Sequence, residues 1–307
     1  MKFKFSQTII LLCTTFILLS CKRELAFEVK SELQSQTPIN AVITPMNTTV
    51  NAHAICNYVF TDSSLTNHGW TKTFEDNFDT DLSQWNIWTG GAYNNELQFY
   101  QAANLQVTGG NLVITAKKQT VTGPSTPGSS TNKTFNYTSG RIECKTNIGA
   151  GTTTPKVRIV ASIKLPTGYG MWPAYWSYGD PWPTQGEIDY LEARGQDTTK
   201  YQTNYFYGTT VNNNLVTNQV GFINTDGSLT SCHHVYVMEW SQNALTSYLD
   251  GVLVEAKTGG YVPNLFGKTE RIALNLAVGG DFFTGLIKAK IVTGTMYVDY
   301  VKVFTSN

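Results

Sequence analysis

The sequence predicts an all-β fold, a large sandwich of two curved antiparallel sheets. Short runs of β-branched and aromatic residues alternate with turn residues, and such side chains fit a pleated surface. Charged residues make up only 14 % of the 307 residues, and no long amphipathic helix with capping residues stands out. Many short strands without such helices are typical of two packed sheets.

The first 21 residues predict a lipoprotein signal peptide. Lys2 and Lys4 precede an apolar run at residues 9–19, which is too short for a comfortable transmembrane helix. The run ends in Leu18-Leu19-Ser20-Cys21, which resembles a bacterial lipobox. We expect acylated Cys21 to anchor the protein in the bacterial cell envelope, at the outer membrane, on its periplasmic or surface face. The alternative is ordinary secretion with cleavage nearby.

Residues 22–68 predict a flexible tether, and residues 69–307 predict the folded domain. The tether is rich in Ser, Gln, Thr and Asn and is interrupted by Pro38 and Pro45. Such a segment buries too little apolar surface to offset its ordering entropy. Residues 57–60 are its one candidate for a short extra strand.

The strands of the folded domain follow from runs separated by turns. They are predicted at residues 111–116, 141–146, 157–165, 187–192, 236–240, 246–249, 271–278 and 296–304. Asp250-Gly251 predicts a hairpin turn into a strand at residues 252–255. Residues 123–134 are rich in Gly, Pro, Ser and Thr and predict an exposed loop.

Composition limits the partners and the redox chemistry. The formal net charge is zero, so the basic footprint of a nucleic-acid-binding protein is absent. Besides Cys13 and Cys21, the chain has Cys56, Cys144 and Cys232, so at most one disulfide forms among these three, and its pairing is open. No cysteine or histidine spacing indicates zinc. We expect a monomer.

Three carboxylates stand among apolar residues in one predicted strand. Glu187 and Asp189 are two apart and point to one face, whereas Glu192 is an odd number of residues from Glu187. A β-bulge at Tyr190 or Leu191 would return Glu192 to that face, and bulges are frequent beside active sites. Clustered acids of this kind suit glycoside hydrolysis. The alternatives are a solvated strand face or an acidic metal-binding patch.

Two tryptophans precede the acidic strand. Trp172 and Trp176 are four apart, so a strand presents both on one face, where their rings would stack on sugars. Core packing is the alternative for this pair, and for Tyr175 it is the expected role.

Segments 171–176 (MWPAYW) and 186–195 (GEIDYLEARG) resemble glycoside hydrolase family 16, and within it the laminarinase-like enzymes with a bulged acidic strand. Further segments resemble the same family in order, so the resemblance covers about residues 70–307; they are 93–100, 109–116, 137–142, 236–240 with 250–251, 275–280 and 296–303. The resemblance implies a concanavalin-like β-jelly roll with an open cleft across the concave sheet. It also implies a retaining endo-glycosidase acting on β-linked polysaccharide, above all β-1,3-glucan (laminarin).

The resemblance assigns roles to the acids. Glu187 matches the nucleophile and Glu192 the general acid/base, and retention calls for carboxyl groups about 5–5.5 Å apart. Asp189 is expected to hydrogen-bond to Glu187. Because like charges disfavour full ionisation, one acid should keep its proton near neutral pH, and Glu192 is the one that needs it.

Further residues are carried over from the family at the edges of the cleft. Arg141 matches an arginine that reaches the sugar, with a surface salt bridge as the alternative, and Asn94 matches a polar cleft residue. Phe282, or its neighbour Phe283, would form the aromatic rim. Phe206 stands where the family often has histidine, which leaves the recognition of the leaving group open.

No cofactor is expected for catalysis, but the resemblance implies a structural calcium. Asp299 matches its carboxylate ligand and Gly110 one of its carbonyl donors, while Asn77 stands where the family often has an acid. Calcium prefers several oxygen ligands, including carboxylates. The alternative for Asp299 is a buried, hydrogen-bonded acid.

Three alternatives to β-1,3-glucan hydrolysis stay open. The first is an enzyme of the same family that cleaves mixed-linkage glucan or a red-algal galactan. The loops at residues 123–134 and 208–220 would determine which polysaccharide is cleaved. A non-catalytic carbohydrate-binding protein would share the sandwich, although both glutamates are present here. Transglycosylation would use the same covalent intermediate.

Overall fold

The computed structural model describes residues 49–307, so the predicted signal peptide with Cys21 and most of the predicted tether lie outside the described residues. Nearly all of the regular secondary structure in residues 49–307 is β-strand. The strands are β1 Thr49–Ala52, β2 Trp70–Asp76, β3 Trp85–Ile87, β4 Gln98–Tyr100, β5 Leu105–Thr108, β6 Asn111–Thr115, β7 Lys117–Pro124, β8 Asn132–Ser139, β9 Arg141–Ile148, β10 Lys156–Lys164, β11 Met171–Tyr178, β12 Glu187–Ala193, β13 Lys200–Phe206, β14 Gly221–Thr225, β15 His234–Ser241, β16 Ala244–Leu249, β17 Val252–Thr258, β18 Glu270–Val278 and β19 Thr295–Ser306. The helices are α1 Ser63–Thr66 and α2 Val262–Leu265.

Two eight-stranded sheets form the sandwich, and a small sheet extends it. The first, which we call the site sheet, has the order β1-β14-β13-β12-β11-β18-β9-β3. The second, the back sheet, has the order β17-β16-β15-β10-β19-β6-β5, with β2 also paired to β19. The small sheet has the order β4-β8-β7. The pairs β1–β14 and β4–β8 are parallel and the other strand pairs are antiparallel, so the predicted antiparallel sandwich is confirmed.

Period-two alternation decides which side of the site sheet faces the core. In β18, four alternating residues are buried in the main hydrophobic core, namely Ile272, Leu274, Leu276 and Val278. In β10 of the back sheet the core residues are Val157, Ile159, Ala161 and Ile163. Because successive side chains of a strand point to opposite faces, the residues between those of β18 lie on the outer side of the site sheet. We call this outer side the site face.

Residues 49–68 belong to the fold, which corrects the predicted end of the tether. Strand β1 pairs with β14, and a disulfide joins Cys56 to Cys232. Leu65 of α1 is buried in a second hydrophobic cluster. The sequence does not reveal that residues 49–68 are folded. An edge strand and a disulfide hold this segment in place, and neither produces a sustained hydrophobic period.

Two local predictions were also wrong. Residues 57–60 form a turn and irregular backbone, and Tyr58 and Phe60 pack against the cluster that contains Leu65. The loop predicted at residues 123–134 shrinks to residues 125–131, because β7 and β8 extend into it. Pairing with a neighbouring strand here outweighs the low strand propensity of Gly123 and Pro124. Within residues 49–307, no helix has the length and apolar character needed to cross a membrane.

Removal of the disulfide should destabilise the fold. Cys56 and Cys232 are 176 residues apart, and Cys144 is a buried free thiol. We expect the double variant Cys56→Ser/Cys232→Ser to lose about 2–4 kcal/mol of unfolding free energy, because the link restricts the unfolded chain. Urea unfolding measures this loss. Dithiothreitol should destabilise the wild type and leave the double variant unchanged; equal sensitivity of both proteins would contradict the prediction.

Candidate active site

The acidic strand β12 carries the predicted bulge. On the β11 side, Leu191 pairs with Tyr175 and Asp189 pairs with Trp176, so Tyr190 is the extra residue. On the β13 side, Asp189 pairs with Asn204 and Glu192 with Gln202, so the register shifts there as well. An extra residue restores Glu192 to the side of Glu187 and Asp189. The bulge inferred from the spacing of the acids is therefore confirmed.

The three acids share the site face. Ile188, Leu191 and Ala193 of β12 lie in the hydrophobic core, as does the bulge residue Tyr190. The three acids are absent from that core. Directly paired residues of neighbouring strands point to the same face, so the acids lie beside Gln202, Asn204 and Phe206 of β13 and beside Ala174, Trp176 and Tyr178 of β11.

Neutral donors hold the two glutamates in place. The indole Nε1 of Trp182 donates to Oε2 of Glu187 at 2.5 Å. The indole Nε1 of Trp172 donates to Oε1 of Glu192 at 3.0 Å, and Nε2 of Gln202 donates to Oε2 of Glu192 at 3.3 Å. These bonds orient the carboxyl groups without cancelling their charge, so both groups stay available for chemistry on a substrate.

Burial raises the pKa values of all three acids, and repulsion by a neighbouring acid of the cluster adds to the rise at Glu187 and Asp189. Burial, followed by the charge of Glu192, raises the pKa of Glu187 to about 8. Burial also raises the pKa of Glu192 to about 7, against the hydrogen bonds from Gln202 and Trp172. Burial and the charges of Glu192 and Glu187 raise the pKa of Asp189 well above its ordinary value. The cluster therefore holds protons near neutral pH, as two adjacent carboxyls with different catalytic tasks require.

Asp189 is a buried hydrogen-bond partner of Glu187 on the site face. Its side chain is 3 % exposed, and its Oδ2 accepts no hydrogen bond. A proton on Asp189 makes a hydrogen bond to Glu187, and this bond favours the ionised form of Glu187. Asp189 is thus placed to stabilise a glutamate anion rather than to meet a substrate.

A buried hydrogen-bond chain fastens the bulge from the core side. The hydroxyl of Tyr190 donates to Oγ of Ser177, and that hydroxyl donates to Oε2 of Glu270. Burial raises the pKa of Glu270 well above its ordinary value, so this acid is neutral beneath the catalytic strand. The chain ties the extra residue of β12 to β11 and β18 and thereby fixes where Glu192 emerges.

The variant Tyr190→Phe should loosen the bulge. Removing its hydroxyl leaves Ser177 without this donor, which costs about 1 kcal/mol of stability. We expect kcat to fall about tenfold, because small misplacements of catalytic groups are costly, with KM nearly unchanged. Steady-state kinetics on a soluble β-glucan measures both constants.

Tyr175 provides a matched control for this variant. Its ring packs edge-on against Tyr190 at 4.8 Å, yet its buried hydroxyl has no hydrogen-bond partner among the described residues. Tyr175→Phe should therefore leave kcat unchanged. If Tyr190→Phe and Tyr175→Phe have equal kcat values, the hydroxyl of Tyr190 does not help to position Glu192.

Arg141 forms a buried ion pair, so the surface salt bridge considered from the sequence is wrong. Its Nη2 donates to Oε1 of Glu143 at 2.7 Å, and both side chains are buried. Its guanidinium lies 3.9 Å from the ring centre of Trp88 and 4.8 Å from that of Trp176. Arg141 therefore supports the floor of the site and brings positive charge towards Glu187. Its contact with sugar stays a prediction.

The two predicted platform tryptophans share the site face but differ in surroundings. Trp172 is 8 % exposed and stacks on Phe282 with ring centres 4.4 Å apart. Trp176 is half-buried, stacks on Tyr178 and donates to Oδ1 of Asn275. The ring of Trp172 is thus occupied in orienting Glu192, while Trp176 keeps part of its surface open. Stacking of either ring on sugar stays a prediction.

The remaining rim residues lie around the same face. Phe282 is covered by Trp172 and by the guanidinium of Arg194, 3.8 Å from its ring centre. Phe206 pairs with Glu187, and its ring lies 6.1 Å from that of Trp182. The exposed Asn94 accepts a hydrogen bond from the backbone of Asp281 through its carbonyl oxygen. Phe206 therefore packs against the donor to Glu187, and Asn94 braces the loop that carries Phe282.

The predicted calcium ligands lie at the far side of the sandwich. Asp299 follows Val298, which pairs with Leu112, so Asp299 and Gly110 come close together. Asp299 is half-buried and makes no side-chain hydrogen bond among the described contacts, unlike the bonded acid considered as its alternative. Within residues 49–307, no group of three or more Asp, Glu, His or Cys side chains is arranged to hold a metal ion. One carboxylate is a poor fit for calcium, which takes six to eight oxygens, and calcium binding stays a prediction.

Sequence reasoning missed several residues of the site. Glu143 is two residues from Arg141 on one strand, and this spacing could have revealed the pair. Glu96 is buried and accepts hydrogen bonds from Gln98 and Tyr100, and it lies within residues 93–100, which resemble the family. Trp182 lies in an irregular connection before β12, where no period predicts the direction of a side chain.

Comparisons with known proteins agree with this geometry. Residues 92–262 match glycosyl hydrolases family 16. The chain is 30 % identical to the clotting factor G alpha subunit of Tachypleus tridentatus over 76 % of this chain and 34 % of that protein. It is 30 % identical to glucan endo-1,3-beta-glucosidase A1 of Niallia circulans, over 77 % of this chain and 38 % of that protein. The chain thus spans little more than a third of the length of these two relatives.

Other relatives match over more of their length. The glucan endo-1,3-beta-glucosidase of Cryptopygus antarcticus is 31 % identical over 78 % of this chain and 94 % of its own. The keratan-sulfate endo-1,4-beta-galactosidase of Sphingobacterium multivorum is 25 % identical over 99 % of this chain and 68 % of its own. Among solved structures, the endo-beta-1,3-glucanase of Pyrococcus furiosus superposes with a TM-score of 0.66, at 28 % identity over 78 % of this chain and 95 % of that one. The jelly-roll fold, the bulged acidic strand and a family match over more than half of the residues show that the chain belongs to glycosyl hydrolases family 16.

Proposed function

We propose that this protein is a retaining endo-glucanase that cleaves β-1,3-glucan. The observation that carries the proposal is the bulge at Tyr190, which brings Glu187, Asp189 and Glu192 to one face. Two carboxyl groups on one face, with different neighbours and raised pKa values, suit double displacement at an anomeric carbon. The β-1,3 linkage is supported by the activities for which the relatives from Niallia circulans and Cryptopygus antarcticus are named.

The first half of the reaction forms a glycosyl–enzyme. The carboxylate of Glu187 attacks the anomeric carbon, and the bond from that carbon to the leaving oxygen breaks. Glu192 gives its proton to the leaving oxygen. The donors Trp182 and Asp189 favour the ionised form of Glu187 before attack.

The second half returns the enzyme to its starting state. Glu192, now ionised, takes a proton from a water molecule, and the oxygen of that water bonds to the anomeric carbon. Glu187 leaves as a carboxylate. The product keeps the β configuration because the carbon is inverted twice. A sugar hydroxyl in place of water would give transglycosylation by the same steps.

The test is a panel of polysaccharides with products identified by size. Laminarin should be cut into short oligosaccharides, and nuclear magnetic resonance should show the β-anomer first. Lichenan, agarose, carrageenan and keratan sulfate are the other substrates of the panel. Cleavage of one of these without cleavage of laminarin would overturn the linkage, and cleavage of none would overturn the glycosidase activity.

A galactan is the second candidate substrate. The relative from Sphingobacterium multivorum is named for keratan sulfate and aligns with 99 % of this chain. Phe206, which pairs with Glu187, gives an apolar side chain where polar recognition of the leaving sugar was expected. Faster cleavage of keratan sulfate than of laminarin in the panel would favour this candidate.

We propose further that acylated Cys21 anchors the enzyme in the cell envelope and that it acts as a monomer. Support for the anchor is the sequence Leu18-Leu19-Ser20-Cys21 after an apolar run. In detergent phase partition of cells, the wild type should enter the detergent phase and the Cys21→Ser variant the aqueous phase. Equal partition of both would overturn the anchor. Gel filtration with light scattering tests the monomer.

A further inference from the structure

A second concave site lies on the small sheet, apart from the catalytic acids. It is a groove of about 660 Å³ whose lining includes Leu97, Phe135 and Tyr137, which we call its floor, and the lysines Lys118, Lys133 and Lys288. We call it the lysine groove. Lys118 and Lys133 come from the neighbouring strands β7 and β8, and Lys288 comes from the connection after β18.

The charge of the lysine groove is one-sided. Its lining contains three lysines and no Asp or Glu. Among residues 49–307, none of these lysines forms an ion pair within 4 Å, and all three are exposed. In a chain with zero formal net charge, three uncompensated ammonium groups around one groove favour an anionic ligand.

The floor of the groove is aromatic and firmly packed. Phe135 is buried and packs edge-on against Phe99 with ring centres 5.5 Å apart. Nζ of Lys133 lies 5.1 Å from the ring centre of Phe135. Tyr137 adds a half-buried ring. Rings beside ammonium groups and polar side chains suit a sugar that carries a negative substituent.

The groove adjoins the catalytic site through the segment around Leu97. The backbone N–H of Leu97 donates to the carbonyl of Val278 at 2.9 Å. Its neighbour Glu96 accepts a hydrogen bond from Tyr100, whose hydroxyl accepts one from Asn275. Asn275 in turn accepts a hydrogen bond from Trp176 on the site face. A chain of direct contacts thus leads from the groove floor to the site face.

We propose that the lysine groove is an accessory subsite that binds an anionic substituent, a sulfate ester or a carboxylate, on the glycan held at the catalytic acids. The ammonium groups of Lys118, Lys133 and Lys288 hold the anion, and the half-buried ring of Tyr137 contacts the sugar. The inference rests on the proposed function only in that the ligand is a glycan chain.

Binding assays with matched polymers test the subsite. Neutral laminarin, sulfated laminarin and carboxymethyl laminarin are titrated into the catalytically blocked Glu187→Gln protein, with and without the triple change Lys118→Ala/Lys133→Ala/Lys288→Ala. We expect the triple change to weaken binding of at least one charged polymer about tenfold or more at low salt, and the loss to shrink at high salt. Binding of neutral laminarin should stay within about twofold. The polymer that loses more affinity identifies the anion as sulfate or carboxylate.

The control is a second triple variant, Lys117→Ala/Lys156→Ala/Lys200→Ala, which removes the same charge from exposed lysines elsewhere. It should bind the charged polymers as the unchanged protein does. Equal losses in the two triple variants, or no loss in the groove variant, would overturn the subsite. Failure of the wild type to cleave laminarin in the panel above would instead count against the proposed β-1,3-glucan activity, so the two failures are distinguishable.

Discussion

Replacing Glu187 with Gln is expected to abolish turnover of β-1,3-glucan while the fold survives. Gln keeps the shape of the side chain and accepts a hydrogen bond from Trp182, but its amide does not form the glycosyl–enzyme. Loss of a nucleophile typically costs several orders of magnitude in kcat, so less than about a hundredth of the wild-type rate should remain. Reducing-sugar release from laminarin measures this rate.

The same variant should be more stable than the wild type at alkaline pH. The pKa of Glu187 in the folded protein is about 8, above its ordinary value of 4.5, chiefly because of burial. Between these values the folded state binds the proton more tightly than the unfolded state, so stability falls as the pH rises. Glu187→Gln removes this loss, which amounts to about 4 kcal/mol at pH 8, and should raise the melting temperature there by roughly 10 °C, since each kcal/mol is worth about 2–4 °C. At pH 4.5 the two proteins should melt together.

Two outcomes would contradict this assignment. Turnover above about a hundredth of the wild-type rate would remove Glu187 from the nucleophile role. A melting temperature that is lower than that of the wild type at pH 8 would show that burial and the charge of Glu192 do not destabilise the carboxylate of Glu187. Asp180→Asn is the matched control, because Asp180 is an exposed acid paired with Arg271 outside the cluster. It should retain most of the activity.

Replacing Glu192 with Gln should remove the proton donor and the alkaline limb of the pH profile. Burial raises the pKa of Glu192 to about 7 and that of Glu187 to about 8, so the pair holds the single proton that the reaction needs mainly between these values. The wild type should therefore gain activity as the pH rises through about 7 and lose it above about 8, when the second proton leaves. An ordinary glutamate would have lost that proton near pH 4.5. For laminarin we expect kcat to fall about 10²–10⁴-fold in Glu192→Gln, the usual contribution of general acid–base catalysis.

An activated substrate separates the donor from a structural role. An aryl β-glucoside with a good leaving group needs no proton, so Glu192→Gln should form the glycosyl–enzyme from it at nearly the wild-type rate, without a fall above pH 8. Added azide should then accelerate turnover, because this anion attacks the intermediate without help from a base. Equal losses on both substrates, or an alkaline limb that persists in the variant, would assign Glu192 another role.

Much of the site could be read from the residues themselves. The odd spacing between Glu187 and Glu192 required a bulge, because three acids on opposite faces would have left one of them in the core. The structure has that bulge at Tyr190. Period-two spacing also placed Trp172 and Trp176 on the same face, and the closing strands were predicted within a few residues of their observed bounds.

Other features depend on contacts between residues that are far apart in the chain. Trp182 reaches Glu187 from an irregular connection, and the chain from Tyr190 through Ser177 to Glu270 crosses three strands. Neither arrangement produces a regular spacing of residues that could be recognised in the sequence. The choice of Cys56 and Cys232 as partners is of the same kind, since nothing in the spacing of three cysteines distinguishes among the possible pairs.

The sequence by itself determined the all-β class, the positions of several strands and the common face of the acids, because strand periodicity is a local property of the backbone. Only the tertiary structure decided how strongly each acid is buried, which indole orients it and that residues 49–68 belong to the fold. Burial and charge repulsion are sums over neighbours brought together from the whole chain. For that reason the proton affinity of Glu187 and Glu192, on which the proposed chemistry depends, emerges only in the folded protein.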